Sequence, residues 1–161
     1  MYSLEEFDKA KTKILRYILY KKRTENEVRT KFKNDIQEDL LEDAIEYLKE
    51  AKYIDDKEYI ERTINNFKIL KKMSITELKY KLQTKGLNKE LIEDYIYQNK
   101  EDLTEYEINS AEKIILKKEQ EKPEIISYLM KKGYKRENIN KAFERVGKEE
   151  EWRKYYFQHI H

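Results

Sequence analysis

The chain has 161 residues, of which 42% are charged and 39% hydrophobic, with a net charge of +2, three glycines, one proline and no cysteine. So few helix breakers beside abundant Lys, Glu, Leu, Ile and Tyr make the chain nearly all α. A disulfide framework and a cysteine nucleophile are excluded. The absence of an N-terminal signal-like run, or of any stretch near the roughly 18 apolar residues of a membrane span, sets the expectation of a cytoplasmic protein with no membrane contact.

In chain order, the first helix carries an apolar stripe of Leu4, Phe7, Ile14, Leu15 and Ile18, with Lys11 at its less buried edge. Lys21, Lys22 and Arg23 follow at its end. Thr24 and Glu27 have the spacing of a capping box, in which each side chain accepts the other's backbone N–H, and they open a helix containing Val28 and Phe32. Asn34 and Asp35, which tolerate left-handed backbone, are expected to close it before Ile36, Leu41 and Ile45. Asp55 with Glu58, Ser74 with Glu77, and Thr104 with Glu107 repeat the capping-box spacing and predict three further helix starts. Pro123 before Glu124 sits where a first-turn proline is tolerated.

An internal repeat organises these elements. Gly86 and Gly133 lie 47 residues apart, each preceded by lysine (Lys85, Lys132) and followed by an apolar residue (Leu87, Tyr134). The same offset aligns Glu77 with Glu124, Leu78 with Ile125, Leu82 with Leu129, Ile92 with Ile139 and Ile96 with Phe143. Each apolar pair four apart lies on one helix face, and the glycine is expected to close that helix as its left-handed C′ residue. An earlier copy runs from Glu27 to Ile45. The expected architecture is therefore all-α, with three tandem three-helix repeats forming an elongated curved rod. Repeat 1 spans residues 1–53 with an N-terminal extension, the basic repeat 2 spans 54–102, repeat 3 spans 103–148, and 149–161 form a C-terminal tail helix. In that tail Trp152, Tyr155, Tyr156 and Phe157 are expected to dock on the last repeat.

Charge is segregated although the total is small. From Asp35 to Glu61 acids outnumber bases eleven to three; from Arg62 to Lys89 bases outnumber acids eight to one. Solvated helix faces explain scattered charge better than blocks, so the basic stretch reads as a partner-binding face made of Arg62, Lys68, Lys71, Lys72, Lys79, Lys81 and Lys85. Secondary clusters stand at Lys21, Lys22 and Arg23 and at Lys117, Lys118, Lys131 and Lys132. Helix C-termini attract cations for a few tenths of a kcal/mol, but recurrence at equivalent places suggests a surface.

No catalytic residues, metal site or cofactor are expected. Both histidines, His159 and His161, fall in the last three positions, and Lys85–Gly86 lacks the rest of a phosphate-binding loop. Asp55 and Asp56 lack the alternating oxygens of a calcium loop and read as helix caps. Of fourteen tyrosines, Tyr47, Tyr59, Tyr95 and Tyr128 read as packing residues, while Tyr80 between Lys79 and Lys81 is the one placed for stacking on a base.

The pattern of Glu77, Leu78, Leu82, Lys85, Gly86 and Leu87, with Tyr53, Ile54, Asp55, Asp56 and Tyr59, resembles the RecX family of recombination regulators over roughly residues 10–146. Gly133, Leu129 and their neighbours repeat the signature. The chain departs from the family pattern at Lys72, Met73 and Ser74, and lysine replaces much of the family's arginine, so bidentate contacts are recast. The resemblance implies a monomeric regulatory protein, not an enzyme. It would bind the RecA recombinase filament on single-stranded DNA, with single- or double-stranded DNA as a further contact, and negatively modulate recombinase, ATPase and coprotease activity in DNA repair and the SOS response. The alternative from the same residues is a direct DNA-binding helical repeat protein without a recombinase target, marked by salt-dependent affinity for bare DNA.

Overall fold

In a computed structural model the chain is all helical, and the structure describes the backbone of residues 1–160 and the side chains of residues 1–147 and 154–160. His161 and the side chain of Trp152 lie outside the described residues. The helices are α1 (Leu4–Tyr20), α2 (Glu25–Phe32), α3 (Glu38–Glu50), α4 (Asp56–Leu70), α5 (Ile75–Thr84), α6 (Lys89–Gln98), α7 (Lys100–Lys117), α8 (Lys122–Lys131) and α9 (Arg136–His159). Among the described residues no helix is long and apolar enough to cross a membrane.

Two compact units form: Met1–Thr63 with Lys81–Tyr95, and Ile64–Tyr80 with Ile96–His161. The first is built on α1, α2 and α3, whose apolar stripes interlock Ala10, Ile14 and Ile18 with Val28, Phe32, Leu41, Ala44, Ile45 and Leu48. The second packs α7 against α9 and α8, burying Ile108, Ala111, Ile115, Ile125, Leu129, Ile139 and Ala142.

The capped helix starts are as the spacing predicts at two places. Thr24 Oγ1 accepts from Glu27 N while Glu27 Oε1 accepts from Thr24 N; Ser74 and Glu77 make the same reciprocal pair. Both hydroxyls then do something the sequence does not announce. Thr24 Oγ1 donates to Lys85 O at 3.0 Å, and Ser74 Oγ donates to Lys132 O at 2.7 Å. Each Lys-Gly turn is thus seated on the capped start of a helix some sixty residues earlier. Gly86 and Gly133 have φ of +75° and +94°, the left-handed values expected of C′ glycines. They are also needed for fit: a Cβ at Gly86 would lie 2.1 Å from the Asn26 side chain, and one at Gly133 would lie 2.7 Å from Thr76 Cβ.

Other expectations are corrected. Thr104 and Glu107 start no helix, because α7 begins at Lys100 with Leu103 N already bonded to Asn99 O, so both residues fall in its interior. Asn34 and Asp35 are not left-handed. Lys33 stays right-handed and the N–H groups of Asp35 and Ile36 return to Phe32 O, so tight right-handed turns close α2. Among the described residues, those that adopt positive φ outside glycine are Lys52 and Lys71, at the ends of α3 and α4. Tyr59 and Tyr95 are half-buried, and Tyr47, though 47% exposed, packs edge-on against Phe7; Tyr128 is 40% exposed, and the deeply buried tyrosines are Tyr106 and Tyr134. Tyr155, Tyr156 and Phe157 are 56%, 38% and 64% exposed, so these rings are not buried in a core. α9 is one continuous helix, and Val146 is its last buried apolar residue among those described. His159 ends α9, its ring stacked on Tyr155.

Gly133→Ala should lower stability by about 2–3 kcal/mol, combining left-handed strain with the Thr76 clash, while Gly147→Ala, in open space within α9, should be neutral or stabilise by about 0.5–1 kcal/mol. Urea denaturation of both variants checks the contrast. A Gly133→Ala midpoint equal to that of the parent would show that the turn is not seated as described.

Candidate interaction surface

The second unit holds its loop between α4 and α5 by a stripe of donors on α7. Tyr106 OH donates to Met73 O at 2.6 Å, Ser110 Oγ to Lys71 O at 3.1 Å and Lys113 Nζ to Leu70 O at 3.2 Å. These three residues fall on one face of α7, spaced four and three apart. Ser110 also meets Tyr134 OH at 2.6 Å, and with its own proton committed to Lys71 O it receives that of Tyr134.

Deeper in the same unit Glu107, fully buried, accepts from Ile75 N at 2.9 Å, Lys135 N at 3.3 Å and Asn138 Nδ2. One carboxylate therefore satisfies backbone donors at the starts of two helices, α5 and α9, which would otherwise be buried and unpaired. The first unit has a counterpart in Asp56, whose Oδ1 accepts from Glu25 N at 2.9 Å, with Asp55 capping Glu58 N at 3.1 Å. Capping is thus the work of both aspartates. Burial raises the Asp56 carboxyl above the usual range, opposed by its bond from the Glu25 backbone. The capping-box spacing places Glu107 at a helix start and says nothing of its burial. The available signal is its place four residues from Leu103 on one side and Ala111 on the other, an acid within an apolar stripe.

On this frame the basic residues sort into different situations. In the second unit Lys71 and Lys72 are exposed side chains on backbone pinned by α7, Lys79 is half-buried, and Lys68 is already engaged by Asp102. In the first unit Lys81 is exposed, Lys85 is half-buried with its carbonyl taken by Thr24, and exposed Arg62 lies 3.8 Å from Glu58. Lys22 is paired with Glu58 at 2.8 Å, and Arg23 lies over the Tyr17 ring at 4.1 Å and beside Glu27, which leaves Lys21 as the exposed member of that cluster. Lys118 and Lys132, by contrast, converge on one ring, that of Tyr128, while Lys117 and Lys131 project outward. Tyr80 is 70% exposed between its lysines. Of the structural signature, Leu78, Leu82 and Leu129 are core residues and Glu77 closes a capping box.

No protein-family model matches the chain. The regulatory protein RecX of Clostridium beijerinckii is 32% identical over 151 residues, a match covering 88% of this chain and 70% of that protein. The chain belongs to the RecX family. RecX of Staphylococcus epidermidis is 32% identical over 149 residues, and this chain spans only 55% of its length, so the chain corresponds to about half of several of the curated relatives it matches. The crystal structure of RecX from Lactobacillus salivarius superposes with a TM-score of 0.74 at 24% identity, covering 90% of this chain and 99% of that one. A further RecX crystal structure gives 0.70 at 22%. These RecX relatives are named as regulatory proteins, not as enzymes.

Glu107→Ala should destabilise the chain by about 3 kcal/mol, since several buried donors lose their acceptor, and Glu107→Gln should cost less because one oxygen survives. Thermal and urea unfolding read the order. A second expectation concerns alkaline pH. Burial holds the Tyr134 and Tyr106 hydroxyls above the usual tyrosine range, so tyrosines in the unfolded chain ionise first. The unfolded state then binds fewer protons, and stability, fully present below pH about 10, falls as pH rises through that value. Tyr134→Phe should show a shallower fall over that range in pH-jump unfolding.

Proposed function

We propose that this RecX-family chain is a regulator that binds the RecA recombinase filament on single-stranded DNA and negatively modulates its recombinase, ATPase and coprotease activity, acting as a monomer in the cytoplasm. The observation that carries the reading is the recurrence of one joint, a capped helix start receiving a Lys-Gly turn, at Thr24 with Lys85 and at Ser74 with Lys132. A joint that recurs in the sequence marks a repeated unit, which suits a partner that is itself repetitive. Three repeats, with boundaries near residues 53, 102 and 148, are the organisation proposed here. Several weak contacts to successive subunits would add by multivalency.

The contact residues proposed are Arg62, Lys81 and Lys85 in the first unit and Lys71, Lys72 and Lys79 in the second, with Lys68 of the second unit in a lesser part because Asp102 already holds it. Lys71 and Lys72 are the strongest members, because a fixed backbone reduces the entropy lost on binding. The acidic run of residues 35–61 would meet basic surfaces of the filament. A second reading, direct DNA binding with no recombinase target, is favoured by exposed lysines that carry no carboxylate partner among the described residues, Lys72 among them.

DNA-dependent ATP hydrolysis by the cognate recombinase, measured with substoichiometric amounts of this protein, tests the proposal. Suppression is expected well below one copy per recombinase subunit. Lys71→Glu with Lys72→Glu and Lys81→Glu should raise the half-inhibitory concentration by at least about tenfold, equivalent to about 1.4 kcal/mol of binding, with helicity unchanged. Absence of suppression, together with tight, salt-sensitive binding to bare DNA, would sink the recombinase reading and establish the second one.

A further inference from the structure

Among the described residues, the exposed leucines and isoleucines are Leu4, Leu19, Ile69, Leu70, Leu116 and Ile160, and four of these six occupy the last two positions of α1, α4 or α7. Lysines follow each time: Lys21 and Lys22 after Leu19 and Tyr20, Lys71 and Lys72 after Ile69 and Leu70, and Lys117 and Lys118 after Leu116. Scattered apolar side chains at a surface need no explanation, and cations suit helix C-termini. Neither accounts for an aliphatic residue recurring beside a lysine pair at three corresponding helix ends.

The copy at the end of α4 is the most complete. Ile69 and Leu70 are 79% and 48% exposed, and neither Lys71 nor Lys72 has a carboxylate partner among the described residues. At the other two ends Lys22 is taken by Glu58 and Lys118 lies over the Tyr128 ring. The chain is also fastened here. Lys113 Nζ donates to Leu70 O and Ser110 Oγ to Lys71 O, while Lys71 keeps a left-handed φ of +49°, which costs a non-glycine residue free energy. Closing a helix would be served better by glycine or asparagine at that position. A lysine kept there against strain sets Ile69 and Leu70 before the turn and Lys71 and Lys72 after it in one fixed arrangement. Leu116, 53% exposed, and exposed Lys117 lie three and four residues beyond Lys113 on the same face of α7, and add a further apolar group and a further cation.

We propose that Ile69 and Leu70, rimmed by Lys71, Lys72 and Lys117, form a docking site for an acidic protein segment that carries apolar side chains. Apolar anchors ringed by polar groups are how protein interfaces are built, whereas phosphates offer nothing to a leucine or an isoleucine. The rim sets the sign of the occupant. Its apolar side chains cover Ile69, Leu70 and Leu116, and its carboxylates pair with the lysine ammonium groups. The site deepens the regulatory reading above and rests on it only in taking the partner to be a protein. It assigns part of the contact to aliphatic side chains that charge alone would not select.

The test uses the full chain and two short fluorescent peptides of equal negative charge, one of glutamate and leucine and one of glutamate and serine, with binding read by anisotropy. The leucine peptide should bind at least about tenfold more tightly than the serine peptide. Ile69→Ser with Leu70→Ser should abolish that preference, whereas Leu4→Ser with Tyr97→Ser, which removes apolar surface exposed elsewhere, should leave it intact. Ile69→Leu with Leu70→Met should keep it, because aliphatic volume is conserved. Lys71→Gln with Lys72→Gln should weaken both peptides and flatten their salt dependence. Circular dichroism of every variant guards against unfolding. Equal affinity for the two peptides overturns the proposal, and so does a serine double variant that binds the leucine peptide as the parent does. An oligothymidylate of equal charge that displaces the leucine peptide as effectively as unlabelled leucine peptide would assign the patch to nucleic acid and overturn it too. No recombinase is present in this assay. A parent chain that shows the leucine preference yet fails to suppress recombinase ATP hydrolysis would therefore refute the function proposed above and leave this site standing.

Discussion

The rest of this structure depends on satisfying the buried backbone N–H groups at the starts of its short helices. A helix of eight or ten residues exposes as many unpaired end groups as a long one, with far less apolar surface to offset their burial. Here those ends are pressed into the units, and each needs an acceptor. Thr24 and Ser74 supply one locally, Asp56 and Glu107 supply another from α4 and α7, and the hydroxyls then turn outward to fasten the Lys-Gly turns. Left-handed glycine follows from this arrangement, because a side chain at Gly86 or Gly133 would collide with the second residue of the helix on which the turn is seated.

The same economy explains why so much charge coexists with a defined fold. Thin cores leave long side chains at the surface, where isolated ion pairs contribute little. The pairs that matter here have good geometry: Arg29 grips Glu42 through both nitrogens, as Arg145 does Glu105, and both carboxyls are held below the usual range by those guanidinium groups. Lysines outside such pairs are then available to a partner. Those on pinned backbone, at Lys71 and Lys132, are presented from fixed positions, which is what a surface recognising a regular polymer requires.

The limits of reading the sequence follow from the same physics. Capping boxes at Thr24 and Ser74 were legible because both partners lie three residues apart. The spacing misled at Thr104 and Glu107, since three residues of separation look alike at a helix start and in a helix interior, and only the surrounding burial distinguishes them. Asn34 and Asp35 tolerate left-handed backbone but do not require it, and the turn after α2 closes with right-handed residues whose N–H groups return to Phe32 O. Among the basic residues the clusters were legible and their states were not: Lys68 is committed to Asp102, Lys22 to Glu58 and Lys118 to the Tyr128 ring, each through a partner in another helix, while Lys132 reaches the same ring four residues back along α8.

The amino-acid sequence by itself determined the helices, their glycine-closed ends, the repeated signature and the family, because these rest on contacts within a few residues or on a pattern recurring along the chain. Tertiary structure alone decided that Glu107 is buried among backbone donors, that Tyr134 lies inside while Tyr155 and Phe157 are exposed, and that Lys118 at the end of α7 meets Tyr128 of α8. Those outcomes depend on which helix faces which, a choice made by the summed packing of many residues and written in no single local spacing.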